Sequence, residues 1–319
     1  MPDTQVRIRI QAWNPDYGSP NEIDEAEEPV QYATIPDGEP FGFLAPAVSG
    51  CVPLAFVDGI QQVEANLVQE IEGRTVPGIA CAYAVGSVVV PVGEAPTFRH
   101  CSGERLLVWT AGAQADLPMA PGGWTWRTVS VPDTGLQAAQ GEMVRQRRQG
   151  EANLGHLLDN EGWWVVCDGT DGRLFIPRPD GEPRMVVGCL KSHHVQLLPD
   201  PYARQLPELP ELQRTTIIRT PSNRYSCYLR LAAPRPWQAS LSGIIRLEFA
   251  GNFELARVRQ VADVLAHHLP RFAGVAHVDP RAPQNLQPIG ALETYLRRQL
   301  GDGRRARRAL YDSVGGTAS

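Results

Sequence analysis

Lysine is nearly missing from this chain: of its 30 basic side chains only Lys191 carries an ammonium. That bias reads as genome composition, so the abundance of arginine is no argument for phosphate binding. A sole lysine beside a Gly-containing strand does stand out. Net positive charge is missing too. The formal net charge is −5, which argues against a generic electrostatic DNA binder while leaving room for a locally basic cleft. None of the six cysteines, Cys51, Cys81, Cys101, Cys167, Cys189 and Cys227, is spaced as CxxC. A zinc ribbon and a thioredoxin-type motif are therefore excluded. Cys81, Cys167 and Cys189 sit in apolar runs, where Cys acts as a small buried hydrophobe, and all six are expected to be reduced thiols. No apolar run approaches the roughly 20 residues that span a bilayer, and no signal-peptide pattern opens the chain. A soluble, cytoplasmic protein with no membrane partner is expected. Internal repeats and low-complexity segments are absent.

What is present suffices for a globular core. With 319 residues, 43% hydrophobic and 20% charged, the chain is not disordered, and one large or two closely packed domains are expected. Residues 1–40 hold nine carboxylates against Arg7 and Arg9, whereas residues 271–319 hold eight arginines against Asp279, Glu293, Asp302 and Asp312. Three segments are expected: an acidic N-terminal arm and strand over 1–50, a main domain over 51–300, and a basic, partly flexible tail over 301–319. Alternation predicts a strand over residues 6–12. Short apolar strands are expected at 53–57, 105–110, 163–167, 185–190, 216–219, 226–231 and 243–249. Residues 79–92, around Gly86, read as two strands or one bent strand. Residues 60–70 are polar and weakly patterned, and 111–135 and 195–215 read as connections. Helices are expected over 134–158, 253–269 and 289–300, the last started by Pro288.

One pattern is written twice: an apolar strand, then Asp, then Gly. It occurs as Phe56-Val57-Asp58-Gly59 and as Val166-Cys167-Asp168-Gly169. An Asp at the end of a buried strand is held by rigid backbone, and its carboxylate points into the crevice where α/β proteins place ligands. The Gly permits a tight turn and the close approach of another group. Two such carboxylates on neighbouring strands can share hard cations such as Mg²⁺ or Mn²⁺, and paired metals activate water against a phosphodiester. Either Asp-Gly alone also reads as ordinary turn chemistry. A third acid, Glu151, falls on the expected helix before the strand that delivers Asp168; taken alone it reads as an exposed residue pairing with Arg147 or Arg148.

The order strand-Asp, further strands, helix-Glu, strand-Asp, then a C-terminal helix with an acid matches a ribonuclease-H-like mixed sheet flanked by helices. An α/β fold of this kind with additional β-rich insertions is expected. The chain also resembles the NurA-type nucleases, partners of the HerA-type hexameric DNA translocase. The resemblance rests on Asp58-Gly59, Gly150-Glu151-Ala152, Asp168-Gly169 and Gly188-Cys189-Leu190-Lys191, and on Pro288-Ile289-Gly290-Ala291-Leu292-Glu293. In that last stretch Glu293 stands where the family has a helix His, with Asp279 or Asn285 as other candidates for the fourth ligand.

The resemblance implies a deoxyribonuclease. Asp58, Glu151, Asp168 and Glu293 would be catalytic metal ligands for Mn²⁺ or Mg²⁺, two per site. Lys191 would contact the scissile phosphate or steady the nucleophilic water. Arg147, Arg148, Arg281 and Asn285 are candidates for DNA contact. The implied partners are DNA and a HerA-like ATPase, the implied assembly a homodimer, and the setting DNA end resection in repair or antiviral defence. Two alternatives stay open. One is a non-catalytic adaptor or DNA clamp of the same fold bound to the translocase. The other is a carboxylate-based hydrolase of a small substrate in a closed apolar pocket. His267 and His268, adjacent near a helix end, are expected to favour its dipole rather than to bind metal.

Overall fold

The computed structural model describes residues 31–47, 50–71, 74–192 and 196–316. The strand expected over residues 6–12 and the pair His193-His194 lie outside the described residues. The strands are β1 (Phe43–Leu44), β2 (Leu54–Ile71), β3 (Arg74–Val90), β4 (Thr97–Trp109), β5 (Arg127–Ser130), β6 (Trp164–Asp168), β7 (Val186–Leu190), β8 (Arg214–Thr215), β9 (Ile218–Arg219), β10 (Tyr225–Arg230) and β11 (Ile244–Phe249). The helices are α1 (Leu136–Asn160), α2 (Asp200–Ala203), α3 (Leu255–His268), α4 (Gln287–Leu300) and α5 (Gly303–Gly316). All eleven strands belong to one sheet, ordered β1-β8-β10-β11-β7-β6-β2-β3-β4-β5 with β9 on β10. The sheet is mixed: β6 and β7 are parallel, whereas β3 and β4 are antiparallel. The α/β fold is thus the mixed sheet flanked by helices that the pattern predicts. The strands that carry Asp58 and Asp168, β2 and β6, are neighbours.

By internal packing the chain divides into two compact units. The first comprises the described part of Met1–Phe56, with Val90–Ala95 and Leu158–Gly290. Its strands β6 and β7 are continuous apolar runs, as strands covered on both faces must be. Helix α3 buries Val258, Val261, Ala262 and Leu265 at helical spacing. A buried charge holds the described part, from residue 196, of the connection expected over 195–215. Arg230, 2% exposed, donates to the carbonyls of Leu209, Ser242, Leu206, Pro207 and Ser240. Around it Leu197, Leu198, Leu206 and Leu209 pack on Ile218, Tyr228 and Ile244.

The second unit comprises Val57–Val89, Pro96–Leu157 and Ala291–Ser319. Here β2 does not end after Asp58 as expected but runs on to Ile71. The weak pattern of residues 60–70 has a physical cause: the buried position is an ion. Glu64 accepts from Arg105 Nε at 3.0 Å and Trp126 Nε1 at 2.8 Å. Residues 79–90 form one strand with a bulge at Gly86, between Val85 and Ser87. Alternate residues of β3 and β4 face two layers. Ile79, Cys81, Leu106 and Val108 pack on Ala139 and Met143 of α1. Ala80, Leu107 and Trp109 pack on Trp126 and on Ala306, Ala309 and Leu310 of α5. The tail expected to be partly flexible is therefore helical through Gly316. Its three small apolar residues, at helical spacing among arginines, supply a buried face. All six cysteines are free.

Candidate metal centre

Leu54, Ala55, Phe56 and Val57 are fully buried, and the strand they build carries Asp58, itself 5% exposed. Removing a carboxylate from water costs several kcal/mol, so it requires partners. One is its neighbour, Gly59, whose N–H donates to Asp58 Oδ1 at 2.7 Å. Gly59 makes no turn here. Its role is space: a Cβ at residue 59 would lie 2.6 Å from Glu151 Oε1 and 3.0 Å from Arg147 Cγ. The missing side chain lets α1 bring Glu151 against β2. Gly169 is the opposite case. Its surroundings are open and its φ of 81° lies in the left-handed region, but it bridges Cys189 at the end of β6 and does not make the expected turn.

Asp58 and Glu293, both in the second unit, each offer a carboxylate oxygen, and the two oxygens lie within 4.8 Å of each other. Asp58 and Glu293 are buried and Asp168 is half-buried. Arg297, one turn along α4, approaches Glu293 at 3.7 Å. An all-oxygen donor set suits a hard divalent ion such as Mg²⁺ or Mn²⁺ and does not suit a thiophilic one. The residues present therefore fit the cofactor that the sequence implies. Cys189, the register partner of Asp168, adds no thiol chemistry. Burial first, and the charge of Asp168 second, push its thiol up to about 12.

Glu151 is buried. Its carboxylate is ion-paired with Arg147 on the same helix. Arg147 also donates to Gln61 Oε1 at 2.9 Å and to the Gly59 carbonyl at 3.3 Å. Arg147, expected at DNA, thus fastens α1 to β2. Arg148, its neighbour, is exposed.

Lys191 follows β7. Its Nζ lies 2.5 Å from Asp168 Oδ2 and 2.6 Å from Asn285 Oδ1. Asn285 is 1% exposed, and its Nδ2 donates to Asp279 Oδ2 at 2.5 Å. Arg281 donates its backbone N–H to Asp279 Oδ1 at 2.8 Å, and its guanidinium lies against the same carboxylate. Burial works against the charged form of Asp279. The bonds from Asn285 and the Arg281 backbone, with the guanidinium, outweigh it and hold the carboxyl below its ordinary range. Asn285, a candidate ligand from the sequence, thus meets both Lys191 and the other candidate, Asp279. No periodicity links residues 191, 279 and 285, so the sequence holds no signal for this chain of contacts.

His268 departs from expectation. It is 1% exposed, its Nε2 lies 3.0 Å from the Gly50 carbonyl, and burial lowers its pKa. Packing in the core thus works against the charge expected at this helix end.

No family model and no curated protein sequence matches the chain. Among solved structures it is similar to the NurA nuclease from Sulfolobus solfataricus, with 13% sequence identity and a TM-score of 0.45, over 87% of this chain and 88% of that one. No helix among the described residues is long and apolar enough to cross a membrane.

Proposed function

We propose that this protein is a divalent-metal-dependent nuclease that hydrolyses phosphodiester bonds in DNA. The observation that carries the reading is the pair of Asp58 and Glu293, with carboxylate oxygens within 4.8 Å of each other. These residues would hold Mn²⁺ or Mg²⁺, as one ion or a pair, with Asp168 and Glu151 as the further acids of the motif. A bound ion supplies a water of lowered pKa and a Lewis acid for the leaving oxygen. The chain's own part is to keep the carboxylates aimed from rigid strands. Lys191 provides a compact point charge suited to a phosphate oxygen. Arg148 and Arg281 are proposed on the DNA side, together with Arg147; Asn285, 1% exposed and bound to Lys191 and Asp279, is not. The resemblance of the motifs extends the proposal to a homodimer working with a HerA-like translocase in DNA end processing or antiviral defence.

The test is cleavage of end-labelled single- and double-stranded DNA with Mn²⁺, Mg²⁺ or chelator, by the wild type and Asp58→Ala, with and without a HerA-like ATPase. Metal-dependent cutting that disappears in the variant supports the reading. A folded protein that cuts under none of these conditions overturns it in favour of the adaptor. One observation favours that second reading: Asp168 and Glu151 are already neutralised by Lys191 and Arg147.

A further inference from the structure

The only ammonium of the chain is spent on the Asp168 carboxylate. Lys191 is 9% exposed, and its position is over-determined. Asn285 accepts from it through Oδ1, and the same amide donates through Nδ2 to Asp279. Because an amide has one acceptor end and one donor end, the Asp279 bond decides which end faces Lys191. Asp279 is held in turn by the Arg281 backbone N–H. Gly290 leaves room for this arrangement: a Cβ there would lie 3.3 Å from Asp279 Oδ2 and 3.4 Å from Asn285 Nδ2. The chain Asp279, Asn285, Lys191, Asp168 therefore starts at an ionised carboxylate and ends with a cation clamped on another carboxylate.

A monovalent cation 2.5 Å from Asp168 Oδ2 competes with any divalent ion that uses the same carboxylate, by direct repulsion and by occupying an acceptor oxygen. We propose that Lys191 is a tethered counter-ion: it neutralises Asp168 in the metal-free site, sets the affinity for the divalent ion, and is kept in place by the Asn285–Asp279 clasp. The inference rests on the metal-nuclease reading above and adds to it a determinant of metal affinity outside the ligand set.

The test is Mn²⁺ binding to the full chain without DNA, read from the spin resonance of free Mn²⁺, together with melting in chelator and in saturating Mn²⁺. The charge-removing variants are Lys191→Met and, as a polar alternative should the first not fold, Lys191→Gln; Lys191→Arg keeps the charge. Both neutral variants should bind Mn²⁺ about tenfold tighter or more. They should melt below the wild type in chelator, where Asp168 has lost its cation, and the gap should close or reverse in Mn²⁺. Lys191→Arg should stay near the wild type in both readouts. Equal Mn²⁺ affinity in the wild type and the neutral variants, or the same melting gap in chelator and in Mn²⁺, would overturn the inference while leaving the metal centre standing. A wild type that binds no Mn²⁺ would overturn the metal-nuclease reading itself, and this inference with it.

Discussion

Gly59 and Glu151 meet where no larger residue fits, since a Cβ on residue 59 would lie 2.6 Å from Glu151 Oε1. Replacing this glycine therefore acts through steric pressure on α1. Gly59→Ala should cost about 1–3 kcal/mol, the range for overpacking. Gly169→Ala should cost about 1–2 kcal/mol for a different reason, the left-handed backbone. Urea denaturation measures both. Only Gly59→Ala should also disturb the Arg147–Glu151 pair, visible as loss of additivity with Arg147→Ala. Additive changes would show that α1 is not seated by this contact.

Glu64 holds the far half of β2. Its side chain is fully buried and that of Arg105 is 16% exposed. Glu64→Gln leaves Arg105 as an uncompensated, largely buried charge, and about 3 kcal/mol of stability should be lost. The double variant Glu64→Gln/Arg105→Met should lose less than the sum of the two single changes, because the second substitution removes the stranded charge. A double-mutant cycle by chemical denaturation decides it.

Asp159 should contribute to acid sensitivity. Burial opposes its charged form. Bonds from Arg178, the Met185 N–H and Arg184 nevertheless hold its carboxyl below the ordinary range. A folded-state value below the unfolded one means that its contribution is complete above the unfolded-state value, about 3.9. It is lost as the pH falls through the lower folded value. In stability measurements from pH 7 down to pH 2, roughly the span of this transition, the difference between wild type and Asp159→Asn should be constant at the upper end and shrink below about pH 4. A difference that does not change across this range would show that the carboxylate is not the source.

Metal removal should be readable without DNA. An ion held as proposed, with Asp58 and Glu293 among its ligands, would stabilise the folded chain by about 2.7 kcal/mol at a hundredfold excess over its dissociation constant. Chelator should therefore lower the melting temperature of the wild type. Glu293→Gln should lose most of that increment. Calorimetry with and without Mn²⁺ provides the comparison.

Local pattern makes much of this protein legible. The apolar runs before Asp58 and Asp168 appear as strands, and the helix over 134–158 appears within two residues at each end. The pattern fails where the buried residue is not apolar. Residues 60–70 read as polar because Glu64 faces inward, and its partner Arg105 lies on another strand. The tail reads as a charged, partly flexible segment because Ala306, Ala309 and Leu310 form a thin apolar stripe among arginines. Gly59 was legible as a glycine that admits a neighbour, but not as one that makes no turn, since only the position of α1 decides between the two.

By itself the sequence determined the mixed α/β alternation, the two strand-borne aspartates and the lone lysine, because these follow from short-range periodicity and from residue type. Only the tertiary structure decided that Glu293 brings a carboxylate oxygen within 4.8 Å of one of Asp58, and that Lys191 reaches Asp168 and Asn285. Those groupings depend on which strands become neighbours and on where α1 and α4 dock. Packing between residues far apart in the chain settles both, and spacing along the chain carries no record of it.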